Sequence, residues 1–349
     1  MRARGIRFPW ANIALLVLLS LQLATGLVGL LGSSEPFRWA SWLHAIGAYG
    51  IVVLLFAKGT LVLNAIRRRP GLTQARVVLS VLVLMLLATL VTGLVWITAG
   101  STIYVAGISL VNLHAYIALA LFALLAWHAI DRRWIVRVPA ARDRAAFLRL
   151  AGVVVAGLAL WQVERTAQRL LETPGSRRRF TGSYETGSFT GEFPVVRWLN
   201  DDPEPLDEAA WRLIVDGSVR RPLELTYDKV LDRSGPALVA TLDCTGGWYT
   251  KQEWGGLELA ALFDEAEVSK DAESVLVEST TGFSRRFSLG DARRLTLATH
   301  VAGEPLSHGH GFPLRLVVPD QRGFDWVKWV TRVHVSGASH LWQPPLPLA

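Results

Sequence analysis

Leu242-Asp-Cys-Thr-Gly-Gly-Trp248, followed by Trp254-Gly-Gly-Leu257 and Leu262, decides how the rest of the chain is read. Cys244 is the only cysteine among 349 residues, so no disulfide can form within the chain. Its thiol is either a plain buried side chain or a working group. From about Val195 onward, short β-type runs at 212–215, 274–277, 313–318 and 330–335 are separated by glycine and proline turns. With helical stretches such as 257–265 between them, they predict an α+β, largely β, domain.

Upstream the character changes. The overall 51% of hydrophobic residues averages an ordinary soluble half with a half dominated by Leu, Val, Ala and Ile. Five apolar stretches, near 10–31, 41–66, 77–98, 103–130 and 147–163, are candidates to cross a hydrocarbon layer, which takes about 20 helical residues. Arg2, Arg4 and Arg7 precede the first; Arg67, Arg68, Arg69 and Arg76 separate the second from the third. Arg132, Arg133, Arg137, Arg142 and Arg144 separate the fourth from the fifth, and the remaining two loops carry only Arg38. The positive-inside rule then places the N-terminus in the cytoplasm and everything after the fifth stretch outside. A net charge of +7 distributed this way marks membrane topology and excludes a nucleic-acid-binding stripe. Residues 164–193, rich in Gly, Ser, Thr and Arg, read as a tether.

An internal repeat carries the first piece of chemistry. Ala24-Thr-Gly-Leu-Val28 recurs as Val91-Thr-Gly-Leu-Val95, and Leu43-His-Ala45 recurs 70 residues later as Leu113-His-Ala115. Two copies of one helical hairpin predict a four-helix bundle in which His44 and His114 lie at the same depth. One imidazole from each of two facing helices is what a six-coordinate haem iron requires. The same offset relates Lys58 to His128, each 14 residues beyond its copy's first histidine, or roughly 21 Å along the helix. That pattern resembles the b-type diheme membrane cytochromes, with Lys58 where that family has a fourth histidine. Three readings stay open for the inner position: a His/Lys haem, a five-coordinate haem on His128, or none.

The stretch around Cys244 resembles the central motif of the sulfite oxidase family of molybdopterin enzymes, whose cysteine gives its thiolate to molybdenum. The resemblance implies that role for Cys244, with Gly246 and Gly247 letting the backbone approach the cofactor. A second segment, His310-Gly-Phe-Pro-Leu-Arg315 with Lys328 beyond it, is similar to the family's pterin-binding segment. It implies that His310, Arg315 and Lys328 hold the pterin and its phosphate, a task suited to an arginine fork and a lysine charge. Trp211–Val219 matches an early strand and turn. The likeness covers about 150 residues. The family's sulfite-oxidising members carry an Arg-Asn-His stretch where this chain has Val196-Arg-Trp-Leu-Asn200. Arg285 and Arg286 are read either as charges for an oxyanion or as solvated strand residues, and His308 as a site or a turn residue. Arg142-Asp-Arg-Ala-Ala-Phe-Leu-Arg149 resembles a degenerate twin-arginine export signal and reads equally as the basic flank of a plain membrane helix.

The sequence therefore predicts a transmembrane haem-binding domain at 1–135, a fifth transmembrane helix at 136–165, a linker at 166–194 and a sulfite-oxidase-fold molybdopterin domain at 195–349. The expected cofactors are molybdenum–molybdopterin and one or two b-type haems. The expected partners are membrane lipid, the quinone pool and a small oxyanion, sulfoxide or N-oxide, with homo-oligomers left open and no nucleic acid. The expected location is a bacterial inner membrane with the molybdopterin domain periplasmic. Two alternatives remain: a non-catalytic electron-transfer or sensor protein with a degenerate fold, and a channel or transporter with a soluble appendage.

Overall fold

The computed structural model describes residues 10–67, 73–131, 144–197 and 201–343. The basic residues Arg2, Arg4, Arg7, Arg68, Arg69, Arg132, Arg133, Arg137 and Arg142 lie outside them, as do Trp198, Leu199, Asn200 and the side chains of Lys58 and Arg144. The chain divides into two compact units, Met1–Tyr184 and Glu185–Ala349.

The first unit contains α1 (Trp10–Leu31), α2 (Arg38–Arg67), α3 (Gln74–Ala99), α4 (Leu110–Asp131) and α5 (Arg144–Leu170). Each carries a segment long and apolar enough to cross a membrane. Large apolar side chains along them, including Phe56, Leu84, Ile130 and Val155, face outward. Helix α1 packs on α2, α3 on α4, α1 on α4, and α5 on α2. A Cβ at Gly157 of α5 would stand 2.7 Å from the Ile46 carbonyl oxygen of α2, so the two backbones touch there. A Gly157→Val variant should push α5 off α2 and cost about 1–3 kcal/mol, read as a lower unfolding temperature in detergent.

Three departures from the sequence reading have local causes. The stretch expected as helix from 103 begins as a hairpin, β1 (Tyr104–Val105) and β2 (Ile108–Ser109), with α4 starting at Leu110. Gly100 ends α3 in a left-handed conformation (φ 80°), and Ala106 and Gly107 turn the hairpin with φ of 50° and 81°. Both central residues at positive φ make the turn that matches strand twist. Helix α5 runs seven residues beyond the expected 163, to Leu170. Residues 171–184 are not a free tether, because they fold back on the first unit. Arg178 donates to the carbonyls of Ile97 (3.1 Å) and Gly175 (2.6 Å), Trp96 Nε1 donates to the Gly182 carbonyl (2.9 Å), and the Tyr184 hydroxyl donates to the Trp96 carbonyl.

The second unit is the α+β, largely β, domain that the alternating runs predict. After β3 (Tyr184–Glu185) come β4 (Leu213–Gly217), β5 (Leu223–Leu225), α6 (Tyr227–Leu231), β6 (Leu238–Asp243), β7 (Trp248–Glu258) and α7 (Leu259–Glu265). Then follow β8 (Ser274–Ser279), β9 (Ser284–Ser288), α8 (Leu289–Ala292), β10 (Thr296–Val301), β11 (Glu304–Pro305), β12 (Arg315–Val317) and β13 (Val330–Ser336). One sheet runs β5-β4-β13-β8-β9, with only β4 and β13 parallel. In the other, β7 lies between β6 and β10, and β10 also pairs β11 and β12. Strand β7 turns Trp248, Thr250, Gln252 and Trp254 inward and Lys251 and Glu253 outward, the period of two that one buried face imposes. Trp254, Phe263, Leu257, Leu213 and Leu297 fill the core between these elements.

Candidate functional site

In the second unit, Cys244 follows β6 at the head of the turn into β7. The turn is closed by the Gly247 N–H donating to the Cys244 carbonyl (3.0 Å) and the Cys244 N–H to the Trp248 carbonyl (2.9 Å), with Gly247 at φ 94°. The Gly246 N–H points at Sγ (3.3 Å), and a Cβ on Gly246 would sit 3.4 Å from that sulfur. Burial pushes the Cys244 thiol up to about 11. The turn is anchored by its neighbour: Asp243 and Arg322 form an ion pair of 2.6 Å, both side chains almost fully buried. The sequence motif contains Asp243, but nothing in it points to a cation 79 positions on. Asp243→Ala would leave the Arg322 guanidinium buried without its carboxylate. The expected loss is about 3–5 kcal/mol, checked by denaturant unfolding of the full chain.

The residues expected to hold a pterin converge on one another. Ser307 caps a short 3₁₀ turn, His308–His310, which ends at Gly311 with φ 110°. A Cβ there would lie 3.1 Å from Lys328 Cβ and 3.3 Å from Arg315 Cβ, so only glycine lets these three segments meet. Arg315 donates to the His310 carbonyl (2.9 Å), and Lys328 to the carbonyls of Gly309 and Val196 (2.7 Å each). His310 Nε2 donates to the Phe193 carbonyl (3.0 Å), and the Phe193 ring stacks on the imidazole with centroids 3.9 Å apart. Phe193, assigned to the linker on sequence grounds, is thus part of this cradle. A cavity of about 440 Å³ opens beside it, lined also by Glu192, Glu304, Ser307 and His310. Cys244 does not line that cavity.

The electrostatics of the cradle are lopsided. Arg315 is buried with its guanidinium over the Trp254 and Trp326 rings (5.6 Å each), and burial pulls it down to about 10. Lys328 falls to about 7, chiefly through burial and then through the positive charge of Arg315, with Asp201 opposing. Both cations donate to backbone carbonyls, and neither has a carboxylate in hydrogen-bond contact among the described residues. The buried Nε of Arg315 and Nε1 of Trp248 and Trp326 have no hydrogen-bond partner among the described residues. Buried cations and unused donors cost free energy unless an anion completes them. A phosphate-bearing pterin is such an anion, so the residues fit the cofactor. Among the described residues no three His, Cys, Asp or Glu side chains converge, so a metal at Cys244 needs further donors from a bound cofactor.

Of three further candidates, Arg285 is placed differently from expectation, Arg286 lies on strand β9, and His308 is a turn residue, one of its two readings. Arg285 is neither solvated nor turned to a ligand: it is buried against Asp325 (2.6 Å), whose carboxyl burial drives up and Arg285 holds back. Arg286 donates to Ser274 Oγ (2.9 Å) on the neighbouring strand β8. His308 Nε2 donates to the Pro203 carbonyl (3.0 Å), and its ring lies beside Trp329.

The first unit carries a separate constellation. His44 Nδ1 lies 3.1 Å from the Gln22 carbonyl and 3.2 Å from Thr25 Oγ1; His114 Nδ1 lies 3.0 Å from the Thr89 carbonyl and 3.1 Å from Thr92 Oγ1. Gly26 and Gly93 face the two imidazoles equivalently, a Cβ on either coming 3.2 and 3.3 Å from Cε1. The sequence repeat is therefore also a repeat of side-chain contacts. The two rings lie 6.2 Å apart, inclined by 70°. His128 is half-buried on α4.

These features define a domain built around a buried thiol and a cation-lined cradle for an anionic metal cofactor. Residues 200–341 match the family model described as the oxidoreductase molybdopterin binding domain. The chain is 30% identical over 156 residues to the uncharacterized oxidoreductase YuiH of Bacillus subtilis, covering 43% of this chain and 77% of that protein. It is 26% identical over 223 residues to NADH nitrate reductase 1 of Nicotiana tabacum, covering 50% of this chain but 24% of the relative. A solved structure, the sulfane dehydrogenase SoxCD of Paracoccus pantotrophus, aligns at 27% identity over 39% of this chain and 40% of its own, with a TM-score of 0.37. The chain belongs to the family of molybdopterin-binding oxidoreductases, and it is an oxidoreductase enzyme with a molybdenum–molybdopterin cofactor.

Proposed function

We propose that this chain is a membrane-bound molybdenum oxidoreductase that passes electrons between a molybdopterin site and the quinone pool through b-type haem. In this reading Cys244 gives its thiolate to molybdenum, Gly246 and Gly247 admit the cofactor to the backbone, and His310, Arg315 and Lys328 hold the pterin and its phosphate. The bound cofactor supplies two-electron oxygen-atom transfer, while haem carries electrons singly. The substrate class is a small oxyanion, sulfoxide or N-oxide. The haem-binding domain (1–135) lies in the inner membrane with α5 as a fifth span, and the molybdopterin domain (195–349) faces the periplasm. The inner position keeps its three readings: a haem on Lys58 and His128, a five-coordinate haem on His128, or none.

One observation carries the haem. Two imidazoles on repeat-related helices have Nδ1 tied to a backbone carbonyl, which fixes the ring and leaves Nε2 for a metal. A haem iron, if bound, would be held between those two free nitrogens. His44 and His114 stand 6.2 Å apart. Metal analysis and a reduced-minus-oxidised spectrum of the detergent-purified chain test the proposal. About one molybdenum per chain together with b-type haem bands is expected, and a protein holding molybdenum but no haem would end the electron-transfer reading.

A further inference from the structure

We infer that Glu164 and Tyr49, between α5 and α2, form the site where a membrane quinol binds and exchanges its protons. This rests on the quinone-linked reading above and gives it a location. Glu164 lies within the apolar span of α5, where an ionisable side chain is costly and marks function. Its Oε1 is buried and has no hydrogen-bond partner among the described residues; the nearest cation, Arg178, stands 4.0 Å away. Arg178 donates through Nη1 to Gln168 Oε1 (2.8 Å) and to the carbonyls of Ile97 and Gly175, while its Nη2 faces Glu164 beyond hydrogen-bond distance. It therefore supplies a positive field without consuming the carboxylate's acceptor. Tyr49 stands on α2, within the electrostatic field of Glu164 and Arg178. Arg165 is the other cation acting on Glu164, and its guanidinium lies over the Trp161 ring at 4.8 Å.

Trp161 of α5 meets Trp42 of α2 with centroids 6.2 Å apart. An aromatic side chain, a carboxylate oxygen that accepts no hydrogen bond among the described residues, and a phenol suit a hydroquinone ring with two hydroxyls. The location also fits the electron path. Trp42 precedes His44 by two residues, and Glu164 lies three beyond Trp161, so the cluster sits within about two helical turns of the His44 level. A quinol becoming a quinone loses two electrons and two protons. The electrons pass singly to ferric haem, each reducing one iron. Each hydroxyl proton passes to the Glu164 carboxylate and on to water at the end of the bundle before the next arrives. Reduction of a quinone runs the same steps backward.

Stopped-flow reduction of the haem in the purified full chain by a short-chain benzoquinol tests this, with dithionite as the reductant that needs no site. Glu164→Gln is expected to slow reduction by quinol at least tenfold with the dithionite-reduced spectrum unchanged, Glu164→Asp to restore most of the rate, and Tyr49→Phe to slow it less. An azidoquinone photolabel should map to peptides carrying Tyr49 or Glu164. If the wild-type haem is reduced by quinol and Glu164→Gln matches it, or the label maps elsewhere, the site assignment fails alone. If wild-type haem is reduced by dithionite and not by quinol, or no haem is present, the quinone reading falls and takes the site with it.

Discussion

Cys244→Ala is expected to reduce turnover by at least 10³-fold, while the haem content and spectrum of the same preparation stay as in the wild type. The first half follows from the donor inventory. Cys244 is the only cysteine, and no cluster of other metal-ligating side chains stands in for it among the described residues. A factor of 10³ corresponds to about 4 kcal/mol of transition-state stabilisation, a reasonable loss for the side chain proposed to hold the metal. The thiol is pushed up by burial, so it is poised as a thiol until a metal takes its proton. The second half follows from the units: His44 and His114 belong to Met1–Tyr184 and Cys244 to Glu185–Ala349, so removing the sulfur leaves the imidazole contacts intact. Molybdenum should fall with activity. Any pterin that remains reports what the Arg315 and Lys328 cradle contributes without the sulfur. Unchanged turnover would remove Cys244 from the chemistry, and a lost haem spectrum would mean the variant is misfolded.

That prediction could be framed from the sequence because its elements are local. The motif at Leu242–Trp248 spans one turn and its flanks, and His310, Arg315 and Lys328, proposed to hold the pterin, lie within 18 positions of each other. The helices were legible for a similar reason: a long apolar run needs no partner to be recognised. What escaped depends on contacts between distant positions. Arg285 reads as a strand charge until Asp325 is brought to it from 40 positions away. Asp243 and Arg322 are invisible as a pair for the same cause. The hairpin at Tyr104–Ser109 was hidden by its own composition, since Tyr, Val and Ile suit a membrane helix as well as a strand; the Ala106-Gly107 turn was its one local sign. Residues 171–184 looked like a tether because their composition is that of a loop, and only the bonds of Arg178, Trp96 and Tyr184 reveal that they are held.

His114→Ala is expected to remove the outer haem and leave molybdenum content unchanged. Removing one axial imidazole deletes a metal bond and also the partner that makes the iron six-coordinate. Because the contacts repeat, His44→Ala should give the same loss, and the agreement of the two is itself a test of the paired arrangement. Thr92→Ala separates ligation from orientation. Thr92 Oγ1 stands 3.1 Å from His114 Nδ1, which the Thr89 carbonyl also holds at 3.0 Å. Losing the hydroxyl should weaken haem retention by about 10–100-fold at most while the spectrum stays six-coordinate. His128→Ala sorts out the inner position: haem per chain falls from two to one if that site is occupied, and stays at one if it is not. Full haem content in His114→Ala, with wild-type bands, would show that these imidazoles bind no iron. The 6.2 Å spacing would then be a packing contact between two helices.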